Sequence, residues 1–158
     1  MNEKVIHTFY TDFQGLDYRG MQEAYHVDAE FSDPVFGLLS SQEVKAMWQM
    51  LVTRSTDLKI SFSDVQASGS IGKCHWEAWY TFSKTGRPVH NIINASFEFR
   101  AGKIYRHHDS FSLWKWSRQA LRTSGLFMGW APWLQNKVRN SARRSLVAFS
   151  DQLVIDNS

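Results

Sequence analysis

The sequence predicts an α+β cone, in which a curved antiparallel sheet and three N-terminal helices enclose a cavity and a C-terminal helical extension follows. Three observations predict it. Apolar residues recur at helical spacing up to Val52, alternate strictly from Leu58 to Leu113, and return to helical spacing in a basic segment after Trp114. The boundaries are therefore a domain over residues 1–114 and a basic, aromatic-rich extension over 115–158, packed on the domain or on a dimer partner.

The first helix is predicted over residues 4–16, with Val5, Ile6, Phe9, Phe13 and Leu16 on one stripe, and a short second one over Tyr18–Tyr25. Val27–Asp33 reads as a strand stopped by Pro34, with Gly37 in the turn after it. Ser40 and Glu43 have the spacing of a capping box, which opens a third helix carrying Val44, Met47, Trp48, Leu51 and Val52. From Leu58 the period becomes two. Cys74, Trp76, Ala78, Tyr80 and Phe82 share one face, and so do Val89, Asn91, Ile93, Ala95, Phe97 and Phe99. A tight Ala101-Gly102 turn leads to the last strand, Ile104–Leu113. A helix to about Arg122 follows, then a break at Gly125–Gly129. Pro132 opens a final helix with Leu134, Val138, Ala142, Leu146, Phe149 and Leu153 on one stripe.

Composition narrows the function classes. With 158 residues and one cysteine, the chain has no intramolecular disulfide framework and no cysteine-based zinc site. Cys74, inside an apolar strand, reads as a buried inert thiol. The start Met1-Asn2-Glu3-Lys4 lacks a signal-peptide pattern, so the expected location is cytoplasmic. The net charge of +3 is uneven. Seven basic residues and no acidic ones lie between Asp109 and Asp151, leaving eleven basic against fifteen acidic elsewhere. Charge confined to one helix argues against nucleic acid. The extension, whose run Leu126–Trp133 is too apolar to leave in water, is expected to pack on protein, with Arg139 and Arg143 towards solvent. That packing is expected to close the mouth of the cone or to extend a homodimer interface; docking on an anionic membrane through residues 126–149 is the competing expectation.

The last strand carries the chemistry. Tyr105, His107, Asp109, Phe111 and Leu113 fall on its apolar side; Arg106, His108, Ser110 and Ser112 fall on the other. An inward histidine and carboxylate are costly unless paired or used. Standing roughly 7 Å apart along the strand, they suit two groups flanking a small ligand or a water. The bland alternative is that both are satisfied structurally, Asp109 by an Arg, Tyr or Trp donor and His107 by a backbone carbonyl. Phe9, Tyr10, Trp48, Tyr80, Asn91, Tyr105 and Phe111 are the candidate wall of a site for a small apolar or aromatic molecule. His75, His90 and His108 face outward, and no set of three ligands converges, so neither a metal nor another cofactor is expected.

Two motifs in this order of elements resemble the nuclear transport factor 2-like superfamily, in particular its SnoaL-like and ketosteroid-isomerase-like members. They are Phe31-Ser32-Asp33-Pro34-Val35-Phe36-Gly37 and Gly102-Lys103-Ile104 leading to His107-His108-Asp109. The resemblance covers about residues 4–114 and implies the cone fold. It places Asp33 at the general-base position of the isomerases. The oxyanion tyrosine maps onto Phe9, with Tyr10 adjacent, and the protonated acid onto Ala95 or Asn94. That pair is needed for steroid isomerisation and is missing here. The expected activity is cofactor-free isomerase, cyclase, hydratase or hydrolase chemistry, with Asp33 or Asp109 as base and His107 as the paired acid or orienting group. A non-catalytic ligand-binding or protein-interaction domain is the alternative.

Overall fold

A computed structural model of the chain describes residues 1–121 and 132–158. Helix α1 (Asn2–Gln14) turns Ile6, Phe9, Tyr10 and Phe13 inward. Helix α2 (Tyr18–Glu23) starts at Asp17, whose carboxylate accepts the Arg19 and Gly20 amides at 3.1 Å. It ends two residues before the expected Tyr25, because Ile104 donates its amide to Ala24 and the chain enters strand β1 (Tyr25–Asp33) there. Strand β2 (Gly37–Ser40) folds back on β1, pairing Gly37 with Asp33. Helix α3 (Ser41–Arg54) begins with the capping box read from the sequence. Glu43 N–H donates to Ser40 Oγ at 3.3 Å and Ser40 N–H to Glu43 Oε2 at 2.7 Å.

Strands β3 (Lys59–Ser68), β4 (Ile71–Phe82), β5 (Arg87–Arg100) and β6 (Lys103–Ser110) form the expected antiparallel meander. Ala101 and Gly102 both have positive φ in the β5–β6 turn, at 51° and 73°, the type I′ geometry that suits the twist of a hairpin. The complete sheet runs β2-β1-β6-β5-β4-β3 and is mixed rather than wholly antiparallel, since β1 lies parallel to β6. No short turn joins these two strands. The direction of β1 is set by α2 before it and the β2 hairpin after it.

Helices α1–α3 cover the concave face, and the core between the layers is strongly aromatic. The last strand ends at Ser110, short of the expected Leu113. Ser112 there caps helix α4 (Leu113–Ala120), whose Leu113, Trp116 and Ala120 form a second apolar cluster with Val89. Helix α5 (Pro132–Asp156) carries Leu146 into the main core, with Ala142 and Phe149 packed beside it. Leu126, Phe127, Met128 and Trp130 lie outside the described residues, and the Trp133 side chain is about half exposed, at 53%. Arg139 and Arg143 do not simply point to solvent as expected. Arg139 Nε donates to the Pro34 carbonyl at 2.8 Å, and Arg143 Nη1 to those of Phe36 and Leu38 at 2.8 and 3.0 Å. A fixed guanidinium fork finds these acceptors where a helical-wheel reading sees only polar circumference. Among the described residues no helix is long and apolar enough to cross a membrane.

Candidate active site

Strand β6 supplies the first two groups. His107 and Asp109 are 1% and 2% exposed, whereas His108 is exposed and bonds Ser32 Oγ at 2.7 Å, so the inward and outward assignment of the two histidines holds. Tyr105 departs from it. Phe99 pairs with Ile104 and Glu98 with Arg106, leaving Tyr105 as the extra residue of a β-bulge. Ile104 takes the inward place at 0% exposure. Tyr105 instead lies under the Arg100 guanidinium, 3.6 Å from its ring centre, and edges onto His26. It is not on the concave wall.

His107 and Asp109 do not flank a ligand, because they bond each other. His107 Nε2 lies 3.0 Å from Asp109 Oδ1, which also accepts Trp76 Nε1–H at 3.2 Å. On the other edge of the ring, Nδ1 meets Tyr25 Oη at 2.7 Å, and that oxygen accepts Trp48 Nε1–H at 2.9 Å. One tautomer satisfies the whole chain. The indole of Trp48 only donates, so Tyr25 accepts from it and gives its own hydrogen to Nδ1; Nε2–H then donates to Asp109. Phe9, Phe31, Trp48, Tyr25 and Phe97 surround the imidazole with ring centres 4.5–6.2 Å away. His107 has no free edge.

Tyr10 is fully buried, stacked on Phe62 and close to Trp76, and its hydroxyl has no hydrogen-bond partner among the described residues. Burial raises both the Tyr10 and Tyr25 hydroxyls well above the ordinary tyrosine range. Phe9 and Trp48 are core residues at 0% and 2% exposure. Burial likewise pushes the Cys74 thiol up to about 12, which fits the inert reading.

Asp33 ends β1 in a tight turn. Its Oδ1 accepts the Val35 and Phe36 amides at 2.9 and 2.5 Å. The parallel register pairs Phe31 with His107 and Ser32 with His108, which sets Asp33 beside Asp109 on one face of neighbouring strands. Burial, and to a smaller extent the Asp109 charge, push the Asp33 carboxyl up to about 7 against the lowering effect of the Phe36, Val35 and Gly37 amides. Val35, Tyr80 and Phe111 touch both apolar clusters near this end of the sheet. Tyr80 accepts Trp116 Nε1–H at 2.7 Å, and the Asp33 charge adds to the burial that raises its hydroxyl. Asn91, half-buried, follows the inward parity of β5.

The structure thus brings Asp33 and Asp109 together, puts His107 behind Asp109, and sets Tyr80 near Asp33. Sequence reasoning missed Tyr25, Trp76 and Trp116. Trp76 left a readable signal, since an inward indole N–H needs an acceptor and Asp109 is an inward carboxylate. Tyr25 left none, being read as the end of a helix.

With this geometry in place, comparison with known families is decisive for ancestry. A family model described as a SnoaL-like domain matches residues 6–107, which is more than half of the chain. The chain belongs to the SnoaL-like domain family. Comparison with curated proteins gives no match. Among solved structures, this SnoaL-like protein is similar to an LEH-like epoxide hydrolase of M. tuberculosis, at 13% identity and TM-score 0.61, covering 84% of this chain and 94% of that one. It is similar to a protein with a ketosteroid isomerase-like fold from Catenulispora acidiphila, at 10% identity and TM-score 0.64, covering 73% and 91%. A third is an NTF2-like protein of unknown function from Burkholderia pseudomallei, at 19% identity and TM-score 0.61, covering 70% and 89%. At such identities the likeness is one of fold.

Proposed function

We propose that this SnoaL-like protein is a cofactor-free acid–base enzyme acting on a small apolar or aromatic molecule, with Asp33 as the proton-transferring group. One observation carries the reading. Two carboxylates stand side by side at the end of the concave face, one locked in a hydrogen-bonded network and the other poised near neutrality. A carboxyl that titrates near 7 can take a proton from an acidic C–H or a water and return it to the product. Asp109, held by Trp76 and His107, supplies the fixed negative charge that helps keep the proton on Asp33. His107 is a positioning residue in this scheme. Tyr80, Asn91 and Phe111 form the substrate side, and the reaction classes open to the site are isomerisation, cyclisation, hydration and hydrolysis. The similar solved structure named as an epoxide hydrolase supports small-molecule chemistry in this fold.

A second reading, a ligand-binding domain without turnover, is favoured by the ring-filled interior around His107. The two separate in one experiment. Enolisable aromatic ketones in heavy water and epoxides in labelled water are offered at pH 7 to the parent protein and to Asp33→Asn. The enzyme reading expects label incorporation that falls by at least about 100-fold in the variant, with melting retained. Ligands that raise the melting temperature equally in both proteins, with no incorporation in either, would establish the binding domain.

A further inference from the structure

The outward face of α5 plays no part in the proposed site. Asn140, Arg144, Val147, Asp151 and Val154 follow one another at spacings of four, three, four and three, the repeat that keeps a seam along one side of a helix. All five are exposed, with Val147 at 58% and Val154 at 69%, and Ile155 beside them at 73%. The opposite side of the same helix is the one that packs on the domain, through Ala142, Leu146 and Phe149. Along the seam runs a shallow groove of about 610 Å³, lined by Asn140, Arg143, Arg144, Val147, Ala148 and Asp151. Arg143 forms its rim, anchored to the Phe36 and Leu38 carbonyls and 3.6 Å from Glu43. Among the described residues, Arg144 and Asp151 have no ion-pair partner.

We infer that this face is an interface for a second copy of the chain, formed by antiparallel pairing of the two α5 helices about a twofold axis beside Val147 and Ala148. The charges decide the direction. In a parallel pair Arg144 would meet Arg144 of the partner subunit and Asp151 would meet Asp151 of the partner subunit. In an antiparallel pair crossing at Val147 and Ala148, Arg144 faces Asp151 of the partner subunit, and the symmetry repeats that ion pair at the other end. The crossing point is also where the face is least obstructed, since Ala148 lets a neighbouring backbone approach. Val154 and Ile155 then lie over the Asn140 end of the partner helix, covering apolar surface that a monomer leaves in water. A single helix pair is small beside a standard interface, so the association belongs in the micromolar range.

Charge reversal tests this on the full chain by sedimentation velocity across a concentration series. Arg144→Glu alone and Asp151→Arg alone each create two repulsive pairs and should raise the dissociation constant about tenfold or more. Combining them re-creates both attractive pairs with the signs exchanged and should restore the parent value to within about threefold. Both positions of change are solvent-facing in the monomer, so the melting temperatures of all three variants should agree with the parent at concentrations where each protein is monomeric. A parent chain that stays monomeric at high micromolar concentration overturns the inference. So does a dimer indifferent to either reversal, or a double variant no tighter than the singles. Monomeric parent chain that binds anionic phosphatidylserine vesicles, and loses that binding in Arg144→Glu, would assign the face to a lipid surface instead.

Discussion

Asp33 is where a single side chain has the largest consequence. Its carboxyl titrates near pH 7 in the folded chain against an ordinary 3.8, so between those values the native state holds a proton that the unfolded chain has released. Stability therefore falls as pH rises through this window, and the loss is complete above it. Asparagine at position 33 still offers an oxygen to the Val35 and Phe36 amides but carries no charge. Asp33→Asn should melt with the parent at pH 4 and be more stable by about 1–3 kcal/mol at pH 8, the reduced end of what such a shift allows for a half-buried group. Equal melting at both pH values would mean an ordinary Asp33 and would remove the basis for proton transfer at neutrality. The inward pair on the last strand was legible in the sequence because parity survives from Arg106 to Asp109. Tyr105 was not, because a bulge shifts parity by one residue and no residue type announces it. The Arg139 and Arg143 contacts were equally hidden, since their partners are carbonyls more than a hundred residues away.

At the scale of elements, the seating of α1 on the sheet depends on a missing side chain. A Cβ at Gly72 would sit 2.8 Å from Ile6 Cδ1, 3.0 Å from Phe99 Cε2 and 3.2 Å from the Gln66 carbonyl. The glycine is thus what lets helix and strand meet at this distance. Gly72→Ala should cost about 1–3 kcal/mol in urea unfolding, the usual range for overpacking a filled core. Substitution at Gly69, where nothing lies within 4 Å, serves as the comparison for backbone strain alone, since its φ of +58° disfavours alanine for a different reason. If the Gly72 variant is the less affected of the two, α1 has room to shift and the close approach is not structural. Helical stripes and the capping box made α1 and α3 readable, because both signals lie within a few residues of one another. The parallel β1–β6 pairing was not readable, since it joins residues more than seventy positions apart.

In the molecule as a whole, α5 and the site are mechanically one unit. The Asp33 turn presents its amides to the carboxylate on one side and its carbonyls to Arg139 and Arg143 on the other. The C-terminal helix thereby braces the loop that holds the proposed base. Arg143→Ala should leave the sheet amides protected while hydrogen exchange at Val35, Phe36 and Gly37 speeds up about tenfold, the effect of losing roughly 1–2 kcal/mol of charge-assisted hydrogen bonding. Uniform acceleration across the sheet would instead make α5 part of global stability alone.

The parallel join of β1 to β6 also bears on how the chain finds its native state. Strands β3 to β6 connect through neighbouring hairpins, so their ladder can zip up from local turns. Strand β1 has no such route to β6 and must wait for a surface already built, at the entropic cost of closing a long loop. The two carboxylates come from the two sides of that final seam. On this loop-closure argument they are expected to become neighbours late in assembly, when a proton held on Asp33 spares the closing strands a charge repulsion. A chain stopped short of closure would contain most of the sheet but only the Asp109 side of the site.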